Sequence, residues 1–185
     1  MRIVAGEYRS RRIEAPSGMD TRPTLDKVRE AVFSSLGGYF SGGNMLDLYA
    51  GSGANGLEAL SRGMDKAVFV DKDRRAVNAI RKNIEALGVK ERTRILSCPD
   101  TKALAALKEE GMKFSLIYMD PPYAKQKNAE ILSLISDYDL LEEDGTVIIE
   151  SIKDDEFHEE YDHLRYDKDR IYGISRITWY RGKQK

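Results

Sequence analysis

The 185-residue chain predicts an α/β fold, with a mostly parallel seven-stranded sheet, helices on both faces, an antiparallel last strand and a small N-terminal β-hairpin. Three observations carry this expectation. Apolar runs alternate with helical patterns from Met45 to Ser151, the order expected of parallel strands joined by helices. The first run, Met45-Leu46-Asp47-Leu48-Tyr49-Ala50, leads straight into Gly51-Ser52-Gly53-Ala54-Asn55-Gly56, a glycine turn that opens a helix. The last two strand-like segments meet at Tyr172-Gly173 with no room for a helix, so the final strand enters antiparallel.

In chain order, Arg2 to Glu14 forms the hairpin, turning near Gly6 or Tyr8-Arg9-Ser10. Thr24 caps a helix through about Leu36 with Val28, Val32 and Leu36 on one face, and Gly37-Gly38 and Gly42-Gly43 bracket a linker. Strands are expected over 45–50, 67–71, 93–97, 114–120, 146–151, 163–171 and 174–180, and helices over 56–62, 74–87, 101–110 and 128–134. Residues 1–23 are therefore read as an N-terminal extension and 24–185 as the main domain.

With 41% hydrophobic residues, a chain of this length can bury a substantial core. A single cysteine, Cys98, excludes an internal disulfide framework, and with His158 and His163 it offers no zinc-like spacing, so no metal is expected. The arginine-studded start contains no apolar signal core and no run reaches the length of a membrane span. A cytoplasmic monomer with no membrane association is expected. The net charge is -1, unlike a dedicated nucleic-acid binder. Its distribution is more informative. Met1 to Arg29 holds seven basic residues (Arg2, Arg9, Arg11, Arg12, Arg22, Lys27, Arg29) against four acidic ones (Glu7, Glu14, Asp20, Asp26). Interleaved with Ile3, Val4, Tyr8 and Ile13, these cations point to phosphate contact. The acidic stretch from Asp154 to Asp162 is read as a solvated surface.

The most telling string is Asp120-Pro121-Pro122-Tyr123, which closes the apolar run Phe114–Met119. A carboxylate and the neighbouring carbonyls can accept the hydrogens of a planar amine. Paired prolines, without N–H donors and fixed in φ, hold those carbonyls still, and an aromatic ring can stack on the ring bearing the amine. The strand over 67–71 ends in Asp71, 20 residues past Gly51, where a nucleotide-binding fold places an acid for ribose hydroxyls. In an open sheet ligands lie beyond the carboxyl ends of the strands, so Asp47–Gly53, Asp71, Asp100 and Asp120–Tyr123 are expected to converge. Asp73 is expected to cap the helix that follows it, and Asp100 is open between cap and ligand. Asp47, inside a buried strand, calls for a cationic ligand group because an unpaired buried carboxylate is costly.

The turn Asp47-x-x-x-Gly51-x-Gly53, Asp71 and the Asp-Pro-Pro-Tyr string together resemble the S-adenosylmethionine-dependent amino-methyltransferases. Met1-Arg2-Ile3-Val4-Ala5-Gly6, Arg22-Pro23-Thr24 with Val28-Arg29-Glu30 and Phe33, and Gly56-Leu57-Glu58-Ala59-Leu60-Ser61-Arg62-Gly63 narrow the similarity to the RsmD family, over nearly the whole chain. Asn55 and the acidic stretch at 154–162 depart from the family pattern. The resemblance implies a Rossmann-like class I methyltransferase acting on N2 of a guanine in bacterial 16S rRNA or the assembling small ribosomal subunit. It also implies S-adenosylmethionine as cofactor, held by Asp47, Tyr49, Ala50, Gly51, Ser52 and Gly53, with Asp71 and Lys72 at the ribose and Asp100 and Thr101 at the adenine. Asp120, which also borders the cofactor, would bind the target amine with Pro121 and Pro122. Tyr123 would stack on the base, and Arg9, Arg11, Arg12 and Arg22 would contact RNA. Methylation of adenine N6 in DNA or RNA is compatible with the same tetrad. A glutamine-directed protein methyltransferase does not account for the basic hairpin, a nicotinamide oxidoreductase leaves the tetrad unexplained, and a non-catalytic RNA-binding module leaves the whole crevice unexplained.

Overall fold

The computed structural model describes residues 1–18, 23–122 and 125–185. In chain order the elements are α1 (Pro23–Ser35), β1 (Asn44–Leu48), α2 (Ala54–Ser61), β2 (Lys66–Val70), α3 (Arg74–Leu87), β3 (Thr93–Leu96), α4 (Asp100–Glu109), β4 (Phe114–Met119), α5 (Lys125–Asp137), β5 (Leu141–Ile152), β6 (Leu164–Tyr172) and β7 (Ser175–Gly182). The seven strands form one sheet in the order β3-β2-β1-β4-β5-β7-β6. β1 pairs parallel with β2, β2 with β3 and β4 with β5, whereas β7 runs antiparallel to both β5 and β6, as the helix-free connection at residues 173–174 requires. The internal packing divides the chain into two units, Met1–Cys98 and Pro99–Lys185.

In the first unit, β1 and β2 bury Leu46, Leu48, Val68 and Phe69. The amphipathic helix α3 covers its part of the core with Ala76, Val77, Ile80, Ile84 and Leu87, the i, i+3/i+4 spacing that defined it in sequence. Asp73 caps α3 by accepting from the Arg75 amide at 2.8 Å, as expected. Helix α1 begins at Pro23, so Thr24 stands inside its first turn and not before it. Proline suits that first position because its missing N–H has no helical partner there. Val28, Val32 and Phe33 form the buried face of α1, with Phe33 in the place expected of Leu36.

The N-terminal segment carries one bridging pair, Arg2 with Arg12, and turns over residues 6–10, with Gly6 at φ 89 and Ser10 at φ 68. Ile3 and Ile13 are buried beneath it. It is seated on α2 by polar groups. Glu58, fully buried, accepts from the amides of Val4 at 2.9 Å and Ala5 at 3.1 Å and pairs with Arg62 Nε at 2.8 Å and Arg29 Nε at 3.4 Å. Ser61 Oγ accepts from the Tyr8 amide and donates to the Ala5 carbonyl. The approach is so close that a Cβ at Gly6 would lie 1.9 Å from the Ser61 carbonyl oxygen.

In the second unit, β4 buries Phe114 and Leu116 to Met119, and α5 turns Asn128, Ile131, Leu132, Ile135 and Ser136 inward. β5 begins at Leu141, five residues before the expected start at Thr146. The polar stretch Glu142 to Gly145 looks like a turn in sequence but is carried within the strand as an irregularity: the register with β4 shifts between Phe114 and Leu116, and Asp144 adopts φ 61.

Candidate active site

In the first unit the chain leaves β1 through a succession of left-handed residues, Tyr49 (φ 60), Gly51 (φ 59) and Gly53 (φ 80). A tyrosine in this region costs on the order of 1–2 kcal/mol, so the turn stores strain at its first residue. Two hydrogen bonds hold it, from the Ala50 amide to the Val70 carbonyl at 3.0 Å and from the Gly53 amide to the Ala50 carbonyl at 2.7 Å. Asp71 braces the same turn. One of its oxygens accepts from the Gly51 amide at 3.0 Å and the other from the Asp73 amide at 2.9 Å. Lys72 is exposed beside it.

Asp47 is 1% exposed, and its Oδ2 accepts from the Gly56 amide at 2.9 Å. The carboxylate, for which the sequence suggests a cationic ligand group, has an amide in the first turn of α2 as a partner, in the favourable field of a helix N-terminus. Burial pushes its pKa up to about 8, the Gly56 bond works against that rise, and the charge of Asp71 adds to it while Arg29 opposes it.

The glycines distinguish the two sides of this turn. A Cβ at Gly56 would lie 2.3 Å from Phe69 Cε1, so the helix rests directly on β2, whereas a Cβ at Gly51 would meet nothing within 4 Å. Backbone is therefore accessible at Gly51, beside an acid braced against it. That combination fits a nucleoside cofactor with polar groups near bare backbone. Ser52 is buried, and its carbonyl accepts from Asn83 Nδ2 at 2.8 Å.

In the second unit, Asp100 is the first residue of α4 and is 7% exposed. The position before the helix belongs to Pro99, so Asp100 stands within the first turn, its Oδ1 accepting from the Thr101 amide at 2.7 Å, with Lys127 Nζ 4.0 Å away. Thr101 is half-buried. Asp120 follows the buried end of β4 directly and is exposed, with Pro121 half-buried and Pro122 exposed after it. Tyr123 and Arg22 lie outside the described residues.

Arg9, Arg11 and Arg12 are all exposed, but they are not equivalent. Arg11 donates to the Ala86 carbonyl at 2.6 Å, while the guanidinium groups of Arg9 and Arg12 have no partner among the described residues. Sequence reasoning assigned no role to Glu58, Ser61 or Asn83. The available signal was a glutamate and an arginine four apart, Glu58 within α2 and Arg62 at its C-terminal cap, the spacing of a paired ion. Among the described residues no helix is long and apolar enough to cross a membrane, and no group of three or more His, Cys, Asp or Glu could hold a metal ion.

The family model described as Conserved hypothetical protein 95 matches residues 1–181. YlbH of Bacillus subtilis, provisionally named an rRNA methyltransferase, is 38% identical over 181 residues, 98% of either chain. Ribosomal RNA small subunit methyltransferase D of Escherichia coli K12 is 32% identical over 151 residues, covering 82% of this chain and 74% of its own. The solved structure of Escherichia coli yhhF, provisionally titled a methyltransferase, superposes with a TM-score of 0.85 at 28% identity over 99% of this chain and 98% of that one. With the strand order, the glycine turn and matches spanning nearly its whole length, the chain belongs to the RsmD family of methyltransferases and has their Rossmann-like fold.

Proposed function

We propose that the protein transfers a methyl group from S-adenosylmethionine to the exocyclic N2 amine of a guanine in 16S rRNA, either free or in the assembling small ribosomal subunit. The observation that carries this is the exposed Asp120 directly after β4, a strand buried at every position but Ser115, followed by two prolines, in a chain whose relatives include a small-subunit rRNA methyltransferase. When bound, S-adenosylmethionine supplies an electrophilic methyl on a sulfonium sulfur. The Asp47–Gly53 turn, including Tyr49, Ala50, Gly51 and Ser52, holds its methionine portion, Asp71 and Lys72 its ribose, and Asp100 and Thr101 its adenine.

Asp120 and the Pro121 carbonyl accept the two hydrogens of the target amine. That nitrogen's lone pair is delocalised into the purine ring, and two fixed acceptors favour the pyramidal geometry that frees it. The positive charge that develops on nitrogen is stabilised by the Asp120 carboxylate and is discharged when one amine proton passes to Asp120 and on to solvent, so no stronger base is needed before transfer. Pro122 keeps the turn rigid. Tyr123 stacks on the extruded base, a contact worth about 1–3 kcal/mol. Arg9, Arg12 and Arg22 take phosphates, with Arg11 at their margin. The enzyme acts in the cytoplasm as a monomer and uses no metal.

The test is labelled-methyl transfer to small-subunit RNA followed by nucleoside chromatography. Label is expected in N2-methylguanine; label confined to N6-methyladenine would overturn the base assignment and leave the fold untouched. Asp120→Ala is expected to lose most single-turnover activity while S-adenosylhomocysteine affinity stays within a few-fold. Near-normal transfer by that variant would remove Asp120 as the amine acceptor.

A further inference from the structure

Asn83 is 3% exposed and projects from α3 into the first unit. Its Oδ1 accepts from the Glu14 amide at 2.9 Å, and its Nδ2 donates to the Glu14 carbonyl at 2.9 Å and to the Ser52 carbonyl at 2.8 Å. One side-chain amide thus clamps two segments that are far apart in sequence. Glu14 closes the N-terminal segment that displays Arg9 and Arg12. Ser52 stands between Gly51 and Gly53, both left-handed, in the turn whose backbone is open at Gly51. A peptide flanked by glycines has little intrinsic reason to keep one orientation. The Asn83 amide fixes the Ser52 carbonyl, and the Gly53 amide of the same peptide is fixed in turn on the Ala50 carbonyl at 2.7 Å.

We propose that Asn83 is a positioning residue that couples the RNA-contacting segment to the cofactor turn, so that S-adenosylmethionine and RNA each bind more tightly when the other is present. The proposal rests on the functional reading above, which assigns RNA to the N-terminal segment and the cofactor to the turn. Its physical basis is a shared ordering step. Whichever ligand first fixes its own segment also aligns the Asn83 amide, and the second ligand then meets a segment already held. Binding free energies coupled in this way are reciprocal.

The test measures the affinity of the full-length protein for a small-subunit RNA fragment with and without saturating S-adenosylhomocysteine. The wild type is expected to bind RNA at least fivefold more tightly with S-adenosylhomocysteine, in the usual range of coupling. Asn83→Ala is expected to bring that ratio close to one and to raise the Kd for S-adenosylhomocysteine about tenfold. Leu107→Ala, a core truncation in the second unit, serves as the control for general destabilisation and is expected to keep the wild-type ratio. A wild-type ratio of one, or an unchanged ratio in Asn83→Ala, overturns the coupling. A wild type that binds neither ligand overturns the functional reading beneath it. A second measurement needs no variant: in the wild type, hydrogen exchange at the Ile3, Ser10 and Ile13 amides, each bonded within the N-terminal segment, is expected to slow when S-adenosylhomocysteine is added. Unchanged exchange at all three would also overturn the proposal.

Discussion

Asp47 is a carboxyl group held away from water, with the Gly56 amide as its hydrogen-bond partner, and burial pushes its pKa up to about 8. The folded chain therefore keeps a proton that the unfolded chain releases near its ordinary value of 3.8. Because the native state binds more protons between those limits, the contribution of this one group to stability is fully present below about pH 4 and is lost as pH rises toward 8. Asp47→Asn keeps an oxygen for Gly56 and removes the titration. Wild-type stability minus variant stability, from urea melts, is expected to decline by up to about 1.4 kcal/mol per pH unit across that window; a flat difference would mean the carboxylate is already ionised throughout. Asp71 works differently, because both its oxygens brace backbone amides, those of Gly51 and Asp73. Asp71→Ala is expected to weaken S-adenosylhomocysteine binding by about 1–3 kcal/mol, through the ligand contact and the loosened turn together. Calorimetry showing unchanged affinity would remove Asp71 from the site.

At the scale of elements, α2 joins two tasks. Its first turn receives Asp47 through Gly56, and one turn later Glu58 and Ser61 seat the N-terminal segment. Glu58→Gln leaves Arg29 and Arg62 facing a neutral amide with one acceptor fewer, and breaking a buried ion network in this way costs about 3–5 kcal/mol. Thermal unfolding should register that loss, and an unchanged Tm would show that the network adds nothing. Helix α5 offers the opposite case. Asn128 is fully buried at the head of its apolar stripe, and neither of its amide atoms has a hydrogen-bond partner among the described residues. Asn128→Leu, similar in size, is expected to stabilise the protein by about 1–3 kcal/mol, and a lower Tm would show that the amide is needed. These two helices also mark what the sequence makes legible. Apolar period sets the helix faces and strand positions, so α3 was expected over its observed span and the helix-free link at residues 173–174 predicted the antiparallel β7. The pairings of Glu58 with the Val4 and Ala5 amides and of Asn83 with the Glu14 backbone join groups more than 50 residues apart, and no local pattern encodes them; only the Glu58–Arg62 spacing is visible in the sequence. The extended start of β5 was missed because a bulge around Asp144 looks like a turn.

For the whole molecule the question is where a chain of net charge -1 meets a polyanion. The acidic stretch near the C-terminus is partly spent on internal pairs, Glu156 with Arg176 at 3.2 Å and Glu160 with Lys183 at 3.4 Å, so it fastens β7 and presents less charge to solvent than its composition implies. At the other end, Arg2 donates to the Ser10 carbonyl and Arg29 is buried against Glu58. The local surplus of cations therefore reduces to a few groups that face water without partners among the described residues, Arg9 and Arg12 foremost. Each phosphate contact contributes roughly 0.7–0.9 to the slope of log affinity against log salt. Replacing Arg9 and Arg12 together by Ala is thus expected to flatten that slope by about 1.4–1.8 while leaving S-adenosylhomocysteine affinity unchanged in the absence of RNA. Arg11→Ala is expected to change the slope by less than half as much, because its guanidinium is already engaged by the Ala86 carbonyl. Equal slopes for the wild type and the double variant, measured by filter binding across a salt series, would place the RNA surface elsewhere on the molecule. A larger change from Arg11→Ala than from the double variant would show that the Ala86 contact opens when RNA binds.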